Sequence, residues 1–227
     1  MQSSLYAASA AMLSFGYAVN AANLLTDPGF ELNPLDTIAN VLSDFTTYQN
    51  LWGPESSTIV GVDGGITPAS GLNQMRMDWN GGVTTQTIQM VDVSSFAALI
   101  DAGNAQIVAN ALYNAAPNPG VVNGPTAGVY VNYFSAANFG SMIGPTDLSV
   151  FNLDLNPMSW EFNGVTATVP IGTRWVAFQV AYDNNSILGL SGGYVDDTFM
   201  EIRAIPAPGP IALSGAAGLV ALRRRRR

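Results

Sequence analysis

Arg174-Trp-Val-Ala-Phe-Gln-Val-Ala-Tyr182 is the stretch on which the fold turns. Trp175, Ala177, Gln179 and Ala181 interleave with Val176, Phe178, Val180 and Tyr182, and both sets are largely apolar. That pattern marks a strand lying between two covered faces. Outward from it, short runs punctuated by Gly, Pro and Asn predict further strands. They are Thr58–Val62, Asn73–Asp78, Thr84–Val91, Ala105–Leu112, Gly128–Phe134, Thr146–Leu153, Gly164–Val169 and Gly193–Ile202. Ser94–Ala102 predicts one or two helical turns. So many short strands separated by turn residues imply an all-β, two-sheet antiparallel sandwich of the jelly-roll kind.

Composition bounds what such a domain can do. The chain has 227 residues, 48% of them hydrophobic and 11% charged, with 23 glycines and 13 prolines. That suits one domain with targeting segments at its ends. Sixteen acids lie between Asp27 and Glu201, against only Arg76, Arg174 and Arg203 in the same stretch, so the segment 23–205 carries a formal charge of −13. A surface of that sign repels phosphate backbones and argues against nucleic-acid binding. There is no Cys, His or Lys. Disulfides, thiolate metal sites, Ser-His-Asp triads and Cys-His dyads are thereby excluded, and a bound metal would need oxygen ligands, which favours calcium over zinc.

The ends read differently from the middle. Residues 1–22 are uncharged, moderately apolar and close on Ala18, Ala21 and Ala22, as expected of a signal peptide helix; the alternative is a buried N-terminal helix. At the other end Pro206-Ala-Pro208-Gly-Pro210 precedes the apolar run 211–222, whose polar side chain is Ser214, and then Arg223, Arg224, Arg225, Arg226 and Arg227. The prolines cannot be helix interior. The apolar run is short for a membrane crossing, which takes about 20 residues, and would depend on arginine snorkelling. The arginines should stay cytoplasmic, with the domain outside.

This ordered trio in residues 205–227 resembles a PEP-CTERM sorting signal, with Pro206, Ala207 and Pro208 as its motif. Ala207 stands where that family has Glu. The resemblance implies signal peptidase and an exosortase-type membrane peptidase as partners, transient anchoring in the inner membrane through a short transmembrane helix, and delivery to the cell envelope, surface or extracellular matrix. A plain C-terminal anchor is the alternative.

The domain 23–204 carries a second resemblance. Asn23-Leu-Leu-Thr-Asp-Pro-Gly-Phe-Glu31 is similar to the opening strand of carbohydrate-binding-module and galactose-binding-like jelly rolls, and Gly193-Tyr-Val-Asp-Asp-Thr-Phe-Met-Glu-Ile202 to their closing strand. Trp52, Ser70–Met77 and Thr85–Ile88 match loosely between them. The resemblance implies that the first and last strands meet. It also implies a structural calcium beside them, held by Glu31 and one of Asp196 and Asp197, since neighbours on a strand point to opposite faces. Read without the resemblance, Glu31 ends a strand and the acid pair is a solvated turn. Sugar-binding jelly rolls stack rings on exposed aromatics. Trp79, at the polar turn Met77–Gly82, and Trp52 are the candidates, with Trp160 also available and Trp175 expected in the core. An aromatic at a strand end equally serves core or edge packing. Asp78, Asp154, Glu161 and Asp183 could form glycosidase-like pairs, but no nucleotide loop, Gly-x-Ser-x-Gly elbow or HExxH helix occurs. The expected function is a non-catalytic exported envelope or matrix protein; the alternative is a carbohydrate-binding module with an exopolysaccharide ligand.

Overall fold

The computed structural model describes residues 22–32, 37–38, 52–54, 57–77, 84–116, 125–137, 139–154, 156–183 and 192–206. Residues 1–21, Trp79 and the tail from Ala207 onward lie outside the described residues. With them go the signal helix, most of the sorting motif, the apolar helix and the arginine cluster. Among the described residues no helix is long and apolar enough to cross a membrane.

Among the described residues eleven strands form two antiparallel sheets. They are β1 (Thr37–Ile38), β2 (Gly53–Pro54), β3 (Ser57–Val60), β4 (Gln74–Met77), β5 (Thr84–Asp92), β6 (Ala105–Ala115), β7 (Thr126–Phe134), β8 (Asp147–Asn152), β9 (Glu161–Thr168), β10 (Trp175–Asp183) and β11 (Gly193–Ala204). One sheet runs β1-β3-β4-β11-β6-β9 and the other β2-β5-β10-β7-β8. The expected helical turns are a 3₁₀ turn at Ser94–Phe96 and α1 at Ala97–Asp101. The two-residue strands β1 and β2 are too short to leave a periodic signature in the sequence.

β10 holds the centre of the five-stranded sheet, paired with β5 on one side and β7 on the other. Val176, Phe178, Val180 and Tyr182 point into the main core, where they meet Ile107, Tyr113, Val195 and Met200 from the six-stranded sheet. Tyr113 crosses that core and donates its hydroxyl to the Gly128 carbonyl at 2.7 Å, which satisfies the one polar atom on a buried ring. Among the described residues, the other face of β10 is covered at one end only. There Trp175 and Ala177 pack with Ile88, Met90, Phe134 and Phe139 in a second, small cluster. The sequence pattern is therefore half right: this strand is covered on both faces for part of its length.

The opening segment departs from expectation in an informative way. It meets the last strand as anticipated, but it is not itself a strand. Leu24 N–H donates to the Met200 carbonyl at 2.8 Å, and the Asn23 side chain accepts from Met200 N–H and donates to the Thr198 carbonyl. On its other side Gln89, buried on the core face of β5, accepts from Thr26 N–H at 2.7 Å and donates to Thr26 carbonyl at 2.9 Å. Side chains supply the ladder that a strand would have made with backbone, so a buried glutamine is left with both ends of its amide paired. The segment then turns at Asp27-Pro28-Gly29, where Phe30 N–H donates to the Asp27 carbonyl, and Phe30 is driven into the core.

Candidate functional site

Three regions carry the residues the sequence singles out: the joint between the opening segment and β11, the aromatic rings, and the outer face of the five-stranded sheet. At the joint, Asp196 is fully buried. Its Oδ2 accepts from Ala69 N–H at 2.9 Å and Ser70 N–H at 3.4 Å, and its Oδ1 accepts from Asp197 N–H. Asp197 Oδ1 accepts from the Ser70 hydroxyl at 2.7 Å. Glu31 reaches the same loop, accepting from Leu72 and Asn73 backbone N–H groups and from Asn73 Nδ2.

Neighbouring aspartates on a regular strand would face opposite ways. Here they do not. The β11–β6 register shifts between Asp196 and Phe199, and Asp197 takes a left-handed φ of 45°. Such a bulge adds a residue on one side and re-aims side chains, so both carboxylates engage Ser70. Gly29 sits between all three acids: a Cβ built there would lie 3.7 Å from Asp197 Oδ1, 3.9 Å from Glu31 Cγ and 4.0 Å from Asp196 Oδ1. Gly71, at φ 61°, is equally constrained, because a side chain on it would collide with Glu31 Oε1.

The electrostatics of this joint are one-sided. Burial, with an added push from the Asp197 charge and an opposing pull from the Asp197, Ser70 and Ala69 amides, raises the Asp196 carboxyl to about 7. The three arginines of the domain are committed elsewhere: Arg76 to Asp63 at 3.0 Å, Arg174 to Asp101 at 2.6 Å and Arg203 to Glu201 at 3.3 Å. Among the described residues no cationic side chain is left for Glu31, Asp196 and Asp197. The oxygen donors are turned toward N–H groups, and with the side chains so placed no group of three or more acids among the described residues is arranged to hold a metal ion.

Trp52 does not serve as a platform. It is 8% exposed, wedged between Phe30 (ring centroids 5.4 Å apart) and Phe178 (5.9 Å), and its Nε1 donates to the Thr26 and Asp27 carbonyls. A ring this deeply buried has no free face on which to stack a ligand. Of the carboxylates considered for catalysis, Asp154 and Glu161 do come together, Glu161 Oε2 accepting from Asp154 N–H. Burial raises the Glu161 carboxyl. Asp154 is employed in closing its own turn onto Asn156 N–H and the Ser159 hydroxyl.

The outer face of the five-stranded sheet was not anticipated as a unit. The cross-strand registers align Gln86, Ala181, Gly128 and Val150 in one row and Ile88, Gln179, Tyr130 and Leu148 in the next. Gln179 donates to Gln86 at 2.6 Å, and Thr84 donates to Asp183 at 3.2 Å at the open end. Small residues at Gly128 and Ala181 leave a recess of about 150 Å³, walled by Tyr130, Val150, Thr84 and Asp183. A Cβ on Gly128 would lie 2.8 Å from Tyr130 and 3.0 Å from Val150, so the recess depends on that glycine. Leu148 and Val150 are 54% and 46% exposed. The signal in the sequence was the small outward residues of β10 and β7, which periodicity alone reads as core.

No family model matches the chain, and no curated protein sequence matches it. Solved structures do. A carbohydrate-binding module of family 61, solved with β-1,4-galactotriose, superposes with a TM-score of 0.50 at 12% identity, over 81% of this chain and all of that one. A cyclase from Fischerella sp. TAU superposes with a TM-score of 0.56 at 10% identity, over 82% of this chain and all of that one. The fold is a jelly-roll sandwich. Identity this low extends to the architecture alone, since one jelly roll serves both a sugar-binding module and a cyclase.

The joint makes a clear prediction. Asp196→Ala removes the acceptor of the part-buried amides of Ala69 and Ser70 and of Asp197 N–H, and should cost about 1–3 kcal/mol in urea unfolding with EDTA present. Asp197→Gly, which suits the left-handed φ and loses one exposed hydrogen bond, should stay within about 1 kcal/mol of wild type under the same cation-free conditions. Equal losses from the two variants would refute the asymmetric joint.

Proposed function

We propose that the protein is a non-catalytic, exported jelly-roll domain that binds neutral polysaccharide on the outer face of its five-stranded sheet. The observation that carries this reading is the recess over Gly128 and Ala181. An aromatic ring and a carboxylate–hydroxyl pair line it, and the Gln86–Gln179 amide pair lies on the same sheet face in the rows of Ala181 and Tyr130. Amides and hydroxyls can donate and accept at once, as a ring of sugar hydroxyls requires, while Tyr130 offers an apolar face with a polar edge. The small cluster around Trp175 and Phe139 closes one end of the face, and among the described residues the other end is left for a chain to enter. Asp183 and the acidity of the domain select against anionic polymers. The galactotriose held by the family 61 module agrees with this ligand class. In affinity electrophoresis through β-1,4-galactan and other neutral polysaccharides, retardation is expected. Tyr130→Ala and Gln179→Ala should each weaken it about tenfold, or about 1.4 kcal/mol. Absence of retardation by every polysaccharide tested would reject the reading.

We assign the joint at β11 to a structural calcium. Glu31, Asp196 and Asp197 supply hard oxygen donors around the bare Gly29, and a divalent cation is the missing partner for a buried carboxylate whose domain has its arginines committed elsewhere. A bound ion would neutralise the cluster and tie the opening segment to the last strand. Chelation with EDTA should lower the melting temperature by several degrees, restored by added calcium; an unchanged melt would eliminate the site.

The tail reading places this domain outside the cytoplasm. Signal peptidase would remove the first residues, and an exosortase-type peptidase would act near Pro206-Ala207-Pro208 after transient anchoring in the inner membrane. The support is the order of prolines, apolar run and five arginines. The intact mass of envelope-extracted protein should lack the arginine cluster; a mass retaining Arg227 would contradict processing.

A further inference from the structure

We propose that a second saccharide site lies between the β3–β4 and β8–β9 loops, in a pocket lined by Trp160, Met158, Pro157, Pro68, Thr67 and Gly65. The pocket encloses about 210 Å³ and shares no residue with the recess on the sheet face. The ligand class rests on the saccharide reading above, but the site rests on its own geometry.

Both walls are held still. On one side Asp63 and Ile66 exchange a pair of backbone hydrogen bonds, at 3.0 and 2.8 Å, around Gly64 and Gly65, which have φ of 58° and 84°. Two central residues with positive φ make a tight hairpin turn of the primed kind. Tyr194 and Arg76 both bond to Asp63 and fix the base of that turn. On the other side the Asp154 carboxylate caps Asn156 N–H and the Ser159 hydroxyl, and Asn114 Nδ2 donates to the Pro157 carbonyl at 3.1 Å. Trp160 Nε1 donates to the Thr67 carbonyl at 2.9 Å, so one loop pins the indole of the other.

The consequence is a fixed aromatic plane, two prolines and a methionine that is 84% exposed, gathered at the surface. Apolar groups clustered in a recess are a sign of contact with something, and rigid walls spare a ligand the cost of ordering them. Among the described residues no charged side chain lines the pocket. A neutral ring with an apolar C–H face and peripheral hydroxyls fits that chemistry. The indole would take its face, the Thr67 hydroxyl one of its polar edges, and Met158 would close over it. Nearby Asp63 and Asp154 turn away anionic rings.

The test uses the full chain carrying ¹³C-methyl methionine and valine and ¹⁵N-indole tryptophan, titrated with β-1,4-galactotriose and, separately, cellotriose. Met158 methyl and the Trp160 indole N–H report on this pocket, and Val150 methyl reports on the sheet face. Saturable shifts at Met158 and Trp160 are expected, surviving in Tyr130→Ala. Met158→Glu, at an exposed position that leaves the fold intact, should weaken the Trp160 response at least about tenfold and spare Val150. Shifts at Val150 with Met158 and Trp160 unmoved would overturn the second site and leave the sheet-face reading standing. Shifts at Met158 and Trp160 with Val150 unmoved would do the reverse. Silence at all three would overturn both.

Discussion

The rest of this structure depends on how eleven residues at the start of the domain, 22 to 32, are gripped between two sheets. They lie alongside β11 through Leu24 and Asn23, and against β5 through the buried amide of Gln89. A plain strand could join only one sheet. Side-chain amides at Asn23 and Gln89 let the segment bond to both, and Phe30 and Trp52 then fill the space it encloses. The bulge at Asp196 is the complement of that arrangement. By breaking the alternation of β11, it points two carboxylates at the 69–70 loop, with Glu31 holding the residues that follow. The energetic strain of this joint is charge: buried acid, no cationic side chain among the described residues to meet it, and a carboxyl raised to about 7. Burying a carboxylate unpaired costs enough that the group either protonates or finds a cation.

With one end of the sandwich locked, the outer face of the five-stranded sheet can be spent on something other than stability. Among the described residues it is only half covered, and the other half alternates small residues with amides and one tyrosine. A sheet is a rigid place to set such groups. The Trp160 pocket follows the same logic with loops, each braced by its own hydrogen bonds before any ligand arrives.

Much of the architecture could be read from the residues, and the reasons for the exceptions are specific. Period-two alternation and Gly, Pro and Asn turns locate nine of the eleven strands to within a few residues, because each long strand buries one face. The same reasoning misplaced Asp197, since a period-two argument assumes an unbroken strand and a bulge leaves no pattern. It left Trp52 open as a ligand platform, because only the folded chain shows that Phe30 and Phe178 close on both sides of the ring. It expected a strand at residue 23, where instead the Asn23 side chain takes the Met200 N–H and Thr26 N–H bonds to the Gln89 side chain 63 residues away. The recess and the Trp160 pocket escaped notice because each is assembled from segments far apart in sequence, and Gly128 or Thr67 alone carries no chemistry. The grouping of Glu31 with Asp196 and Asp197 was legible, through the likeness of the two ends of the domain to jelly-roll strands.

The central claim is that the half-covered sheet face is where this domain meets polysaccharide. A crystal structure of the protein grown with β-1,4-galactotriose tests it most directly. The account predicts a sugar ring against Tyr130 over Gly128 and Ala181, with hydroxyls bonded to Gln86, Gln179 or Asp183. A saccharide bound elsewhere with that face occupied by solvent alone would contradict it.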